Sequence, residues 1–188
     1  TGNDNVAIGR ESGDAMTSGI HNVLMGYAAG GALNTGFVNV GIGYQSLKVS
    51  DTGCYNVGIG GCALGGAVLT GNDNVGIGQN SGRLLTSGAT NVAIGWKAMS
   101  EATTPNQDVA IGMCAIGGAT HTGCQNVAIG VDALKESTSA KRNIVIGVAA
   151  ADALDDGENN IALGLNALGA ATNNNNNVAI GNAAFATS

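Results

Sequence analysis

Little in this chain can build an ordinary globular core. Its aromatic residues are Phe37, Phe185, Tyr27, Tyr44, Tyr55 and Trp96, only 3% of the sequence. Thick cores take much of their buried area from such side chains, so thin stacked layers fit this composition better. Basic residues are also scarce: seven Lys and Arg, scattered along the chain, leave a formal charge of −6. A phosphate backbone demands clustered cations, and no nucleic-acid partner is expected. No apolar run approaches the roughly 18 residues that a membrane-crossing helix needs, so membrane insertion is not expected either. No leader-like pattern opens the chain, and Thr1 runs at once into a repeat, which reads as a segment of a longer protein. Cys54, Cys62, Cys114 and Cys124 lack the C-x-x-C pairing of a zinc or redox site. They read as small apolar fillers, with disulfides only in an oxidising compartment.

What is present is regularity. Asn126-Val127-Ala128-Ile129-Gly130 returns in variant form eleven times, starting at Asn5, Asn22, Asn39, Asn56, Asn74, Asn91, Asp108, Asn126, Asn143, Asn160 and Asn177. Successive steps are 17 residues, except for two of 18 that begin at Asn56 and Asp108. A fixed period too short for a helix pair predicts a solenoid with one coil per repeat. A longer echo, Thr1 to Val6 returning as Thr70 to Val75 at an offset of 69, points to duplication in blocks of four coils and leaves no domain boundary. The whole of residues 1–188 therefore reads as one repeat domain of about eleven coils.

With the first residue of each copy counted as slot zero, slot one is Val or Ile throughout, slot three is Ile, Met or Leu, and slot two is mostly Ala or Gly. Period-two alternation puts slots one and three on one strand face. The opposite face, carrying slots zero, two and four, is almost without bulk, and packing of that face on a partner chain is the expectation, although alternation leaves open whether slots one and three face the coil's own core or the axis of an assembly. Slot four is Gly in all eleven copies, which signals a positive φ or close coil-on-coil approach. Slot eight is large and apolar in Leu47, Leu64, Met99, Ile116, Leu134, Leu168 and Phe185. Where it is small, slot eleven carries the bulk instead: Met16, Leu33, Leu85 and Leu154 follow Gly13, Gly30, Gly82 and Ala151. One core position is thus filled from two slots. The three-residue spacing predicts either a short helical turn or a bent strand. Polar turns such as Thr52-Gly53 and Ser87-Gly88 close each coil.

The column Asn5, Asn22, Asn39, Asn56, Asn74, Asn91, Asn126, Asn143, Asn160 and Asn177 can stack as an amide ladder, since each amide both donates and accepts. Asp108 interrupts it with a group that only accepts. One coil cannot bury its own apolar face, so stability must come from stacking, and three chains about one axis is the favoured assembly.

The Asn-Val-Ala-Ile-Gly copies, with the Ala-Leu and Thr-Gly that follow, resemble the head repeats of trimeric autotransporter adhesins and, more closely, repeats of some bacteriophage tail fibres and related bacterial surface fibres. The resemblance covers essentially the whole chain. It implies a parallel homotrimer of left-handed β-rolls that projects from a cell surface or virion and takes part in attachment. The adhesin heads commonly repeat at about fourteen residues with Ser before Val-Ala-Ile-Gly, so the longer coil here implies a different outer edge.

Chemistry finds no foothold in the pattern. Gly60-Gly61-Cys62 sits in a regular slot with no histidine nearby, and no glycine-rich stretch completes a nucleotide-binding motif. His21 and His121 read as exposed turn residues. Asp155, Asp156 and Glu158 form the densest acidic group, which reads as a solvated turn ahead of a calcium site. Slot five varies most, running from Arg10 through Tyr27, Tyr44 and Trp96 to Leu165 and Asn182. It reads as a subunit interface or, at Tyr27, Tyr44 and Trp96, as contact with a cell-surface glycan or protein receptor. The expectation is a non-enzymatic, extracellular structural or adhesive fibre segment without cofactor or metal. An ice-binding or other surface-binding solenoid is the alternative, weakened by Thr columns broken at Asn34, Leu69 and Pro105. A polysaccharide-cleaving fibre would need paired carboxylates in a groove.

Overall fold

The computed structural model describes residues 2–186. Eleven three-residue strands, from β1 (Val6–Ile8) to β11 (Val178–Ile180), form one parallel sheet in strict chain order. Each pairs with its neighbour one coil away and in register, so Val40 meets Val57 and Ile42 meets Ile59. The fold is a parallel β-solenoid of 17- and 18-residue coils. At ordinary strand spacing its ten steps span about 48 Å. Backbone hydrogen bonds between coils continue well beyond the strands, as in Ala28 N to Arg10 O (2.9 Å) and Leu47 N to Ala63 O (3.0 Å).

The small-residue face does not lie where the sequence expectation put it. Slot two is the buried one: Ala93, Ala110, Ala128 and Ala162 are fully inaccessible, whereas slots one and three on the same strands are half-exposed. The small-residue face does not wait for a partner chain, because it lines the interior of its own coil. The reason is volume. A coil this short encloses room for one large side chain, supplied by slot eight or eleven, and the strand opposite must be nearly flat. A Cβ added at Gly58 would lie 2.7 Å from Ser46 Oγ and 3.2 Å from Leu47 Cγ. The exchange between slots is visible directly, since a Cβ on Gly82 would stand 3.0 Å from Leu85 Cδ1, which fills that space from slot eleven. Coils two and nine are the exceptions, because Leu24 and Val145 occupy slot two and are fully buried. Around the larger of them room is made by glycine: Gly13, Gly30 and Gly41 all stand against the methyl groups of Leu24.

Among the described residues no helix forms after a strand. Slots six and eight adopt left-handed φ, from +46° to +62°, in every coil, and the residue before each ladder position does so too, from +55° to +61°. A right-handed turn needs consecutive negative φ, and alternation of hands gives a flat zigzag that carries slot eight inward. Thirty of these left-handed residues are not glycine. Single non-glycine residues in this region are uncommon, so the hydrogen bonds between coils must hold them. The slot-four glycines satisfy both reasons foreseen for them: φ lies between +120° and +143°, and in coils one to ten an added Cβ would sit 2.2 to 2.7 Å from the next coil's glycine carbonyl oxygen.

The asparagine column is internal. At Asn39, Nδ2 donates to Asn22 Oδ1 (3.1 Å) and to Gly53 O (2.8 Å) in its own return turn, while its Oδ1 accepts from Asn56 N (2.9 Å). Each amide thereby links strand to turn within a coil and coil to coil along the axis.

Candidate functional site

Three features are candidates for function: an aliphatic stripe that the repeat itself builds, an aromatic and charged cluster near the N-terminal end, and a buried polar triad.

The stripe is made by slots one and three. On β1, Val6 and Ile8 are 45% and 54% exposed, on β9 (Ile144–Ile146) the two isoleucines exceed 40%, and on β11 both residues reach 66%. In β3 (Val40–Ile42) to β8 (Val127–Ile129) the same slots are half-buried by their neighbours above and below. These columns form a band about 48 Å long and roughly 10 Å wide, near the upper range of apolar patch that a soluble monomer leaves open.

Slot five lies just beyond that band, and its large members are exposed: Tyr27, Tyr44, Trp96, Met113, Val148 and Leu165. The structure brings Tyr27 and Tyr44 together, ring centroids 5.5 Å apart and 20° from parallel. It leaves Trp96 three coils further on, where Lys97 Nζ sits 4.5 Å from the indole centroid. Arg10 donates to Glu11 (2.9 and 3.0 Å) and lies 5.4 Å from the Tyr27 ring centroid. The hydrogen bond from Arg10, joined by one from Tyr27, holds the Glu11 carboxyl below its usual range; the same Glu11 contact raises the Tyr27 phenol.

The triad corrects one expectation. His21 is an exposed turn residue, but His121 is fully buried. Its Nε2 lies 3.0 Å from Asp108 Oδ2, and its Nδ1 lies 3.0 Å from Ser137 Oγ. Asp108 Oδ1 meanwhile accepts from the backbone and side chain of Asn126, at 2.6 and 3.0 Å. A carboxylate in the ladder lacks the proton with which an amide would reach its turn carbonyl, and the imidazole satisfies the oxygen left over. The order Asp-His-Ser is that of a catalytic relay, yet Asp108, His121 and Ser137 are all fully buried. What the arrangement does here is complete the ladder. The signal in the sequence was the coincidence of Asp108 and an extra residue in the same coil.

Other sequence candidates disperse. The four cysteines are free, with burial raising the Cys114 thiol. Asp155 accepts from Thr138 (2.5 Å), and Glu158 pairs with Arg142 (2.5 Å) and Lys141 (3.7 Å). The buried asparagines offer no flat amide array to solvent. Comparison with protein-family models, with curated proteins and with solved structures returned no match.

Proposed function

We propose that this chain is a non-enzymatic segment of an extracellular fibre, on a cell surface or a virion tail. In this reading it is a parallel homotrimer of left-handed rolls that extends and presents an attachment surface to a target cell. The observation that carries the proposal is the aliphatic stripe. Two columns of Val and Ile run the length of the sheet with nothing over them, while the small-residue face is consumed inside the coil. Burial of a continuous apolar band is the main driving force available for association. Around a threefold axis each slot-one column meets the slot-three column of the next chain, and the band closes on itself without an open edge. The side chains of slots five, nine and ten then remain outside, where Tyr27, Tyr44 and Trp96 can meet a receptor.

Light scattering on the purified chain tests this. The expected mass is near three times 18.3 kDa. Val127→Asp reduces it to one chain, because Val127 is half-exposed and an aspartate there spoils the interface without emptying the coil interior. A stable wild-type monomer would overturn the trimer and restore the surface-binding solenoid as the leading reading.

A further inference from the structure

The outer surface formed by slots six, nine and ten is stripped in some coils. Coil two carries Ala28, Gly31 and Ala32 there, coil four carries Cys62, Gly65 and Gly66, and coil seven carries Cys114, Gly117 and Gly118. Each stripped coil lies between neighbours with full side chains, which makes a notch one coil wide. Two of the three are shut. Arg83 lies across Gly66, whose added Cβ would stand 2.6 Å from Arg83 Cγ, and Lys135 covers Gly118 in the same way at 2.8 Å. Arg83 is held by Glu101 (3.2 Å), and Lys135 lies between Asp132 and Glu136 (3.8 Å each).

The notch at coil two is open. It is a cleft of about 270 Å³, floored by Ala28, Gly31 and Ala32, with Glu11 and Asp14 on one wall and Lys48 and Val49 on the other. Among the described residues, neither Asp14 nor Lys48 forms an ion pair. Glu11 is committed to Arg10, whose guanidinium lies 5.4 Å from the Tyr27 ring centroid, so the wall adjoins the Tyr27–Tyr44 stack. The cleft thus combines an apolar floor with a free acceptor on one wall and a free donor on the other, and Tyr27 of the stacked pair directly precedes the floor residue Ala28 in the chain.

We infer that this cleft binds one uncharged pyranose residue of a glycan. Such a ring has an apolar C–H face for the Ala and Gly floor and a rim of hydroxyls that both donate and accept. Asp14 accepts from hydroxyls on one side, and Lys48 donates to ring or hydroxyl oxygens on the other. Walls of opposite sign leave no net field to select a charged sugar. The Tyr27–Tyr44 stack takes the next residue of the glycan. This site rests on the attachment reading above and gives it a ligand class.

The test uses the methyl glycosides of glucose, galactose, mannose and N-acetylglucosamine as probes, with glycine as a zwitterionic control, followed by amide chemical-shift changes in the full chain. The expected result is a Kd of about 1–10 mM for at least one glycoside, in the range for so small a ligand, with the shifts centred on Ala28, Gly31 and Ala32. Gly31→Arg puts a long side chain on the floor itself, occupying the space that Arg83 and Lys135 take from the following coil at the other two notches, and it should weaken binding more than tenfold. Lys48→Met and Asp14→Asn should each weaken it about fivefold, with circular dichroism and mass unchanged. No binding by wild type, equal binding by Gly31→Arg, or binding of glycine in place of sugar would overturn the site. A trimer that adheres to cells equally well with Gly31→Arg sinks this site and leaves the fibre standing. A monomer that still binds a glycoside in the notch sinks the fibre and leaves the site.

Discussion

Two coils are one residue longer than the rest, and they solve the insertion differently. In residues 56–73 the thirteenth residue after the ladder position is Leu69, and in residues 108–125 it is His121; both side chains are fully buried. The first coil keeps the ordinary ladder, with Asn56 Nδ2 donating to Gly71 O at 2.9 Å. The second has Asp108 in the ladder and needs a donor from elsewhere, which the inserted side chain supplies at 3.0 Å. The turn glycines make room for the same thing, the next coil's carbonyl oxygen: a Cβ at Gly71 would meet Gly88 O at 1.9 Å and one at Gly123 would meet Ala140 O at 2.0 Å, with His121 Cε1 also close at 2.6 Å. The insertion and the ladder residue therefore behave as one unit: amide with hydrocarbon, or carboxylate with imidazole. Mixed pairs strand a polar group.

That comparison can be broken most severely by His121→Leu. The change copies the sister coil's inserted residue but leaves a buried carboxylate oxygen without its donor. The expected loss is about 3–5 kcal/mol, typical when one partner of a buried pair is removed, seen as a lower denaturant midpoint. Leu69→Ala empties the matching space without stranding a charge and should cost about 2–5 kcal/mol, as core truncations do, and less than His121→Leu. If Leu69→Ala proves the worse of the two, the ion pair is not what the second coil depends on.

The double variant Asp108→Asn with His121→Leu rebuilds the first coil's solution in the second. It should return to within about 1 kcal/mol of wild type, with a coupling between the two changes of at least about 2 kcal/mol in a double-mutant cycle. Simple additivity of the single losses would show that the two residues are independent. The smallest effect belongs to the exposed counterpart, Arg10 and Glu11. Because Glu11 is held below its ordinary value, its small contribution is complete above the usual carboxylate range and disappears as pH falls through the lowered value. Glu11→Gln should leave the denaturant midpoint within experimental error and bring the Tyr27 phenol back toward its ordinary titration, followed by NMR. A large stability loss would mean that surface pairs matter here as much as buried ones.

Much of this was legible in the residues. The 17-residue step gives the coil, the Asn column gives the ladder, and the alternation of slots eight and eleven gives the single core position that Leu64 and Leu85 fill from different places. The direction of the strand was not legible, because alternation shows which slots share a face and is silent on which face is inside. Only the width of the coil decides that, and the width depends on the zigzag of left-handed residues, which Gln45, Lys97 or Asp132 do not announce. The same zigzag explains why a helical turn was a reasonable expectation and does not form. His121 was misplaced for a different reason: histidine beside Thr120 and Thr122 looks like any polar turn, and its role depends on a residue thirteen positions earlier. The open notch at coil two required knowing which side chains lie across their neighbours, and no spacing rule encodes that.

The way the hydrogen bonds run has a mechanical consequence. Strand pairing, the zigzag contacts and the asparagine amides all join one coil to the next, along the length of the rod. A pull on the two ends therefore loads a whole rung at once, and the rod yields one rung at a time. Each rung that opens releases 17 residues, about 58 Å of extended chain, in place of about 5 Å of stacked height. Under tension such a rod lengthens in discrete steps of about 50 Å, and because each coil needs only its neighbour as a template, it can rewind from the intact end when the load is removed.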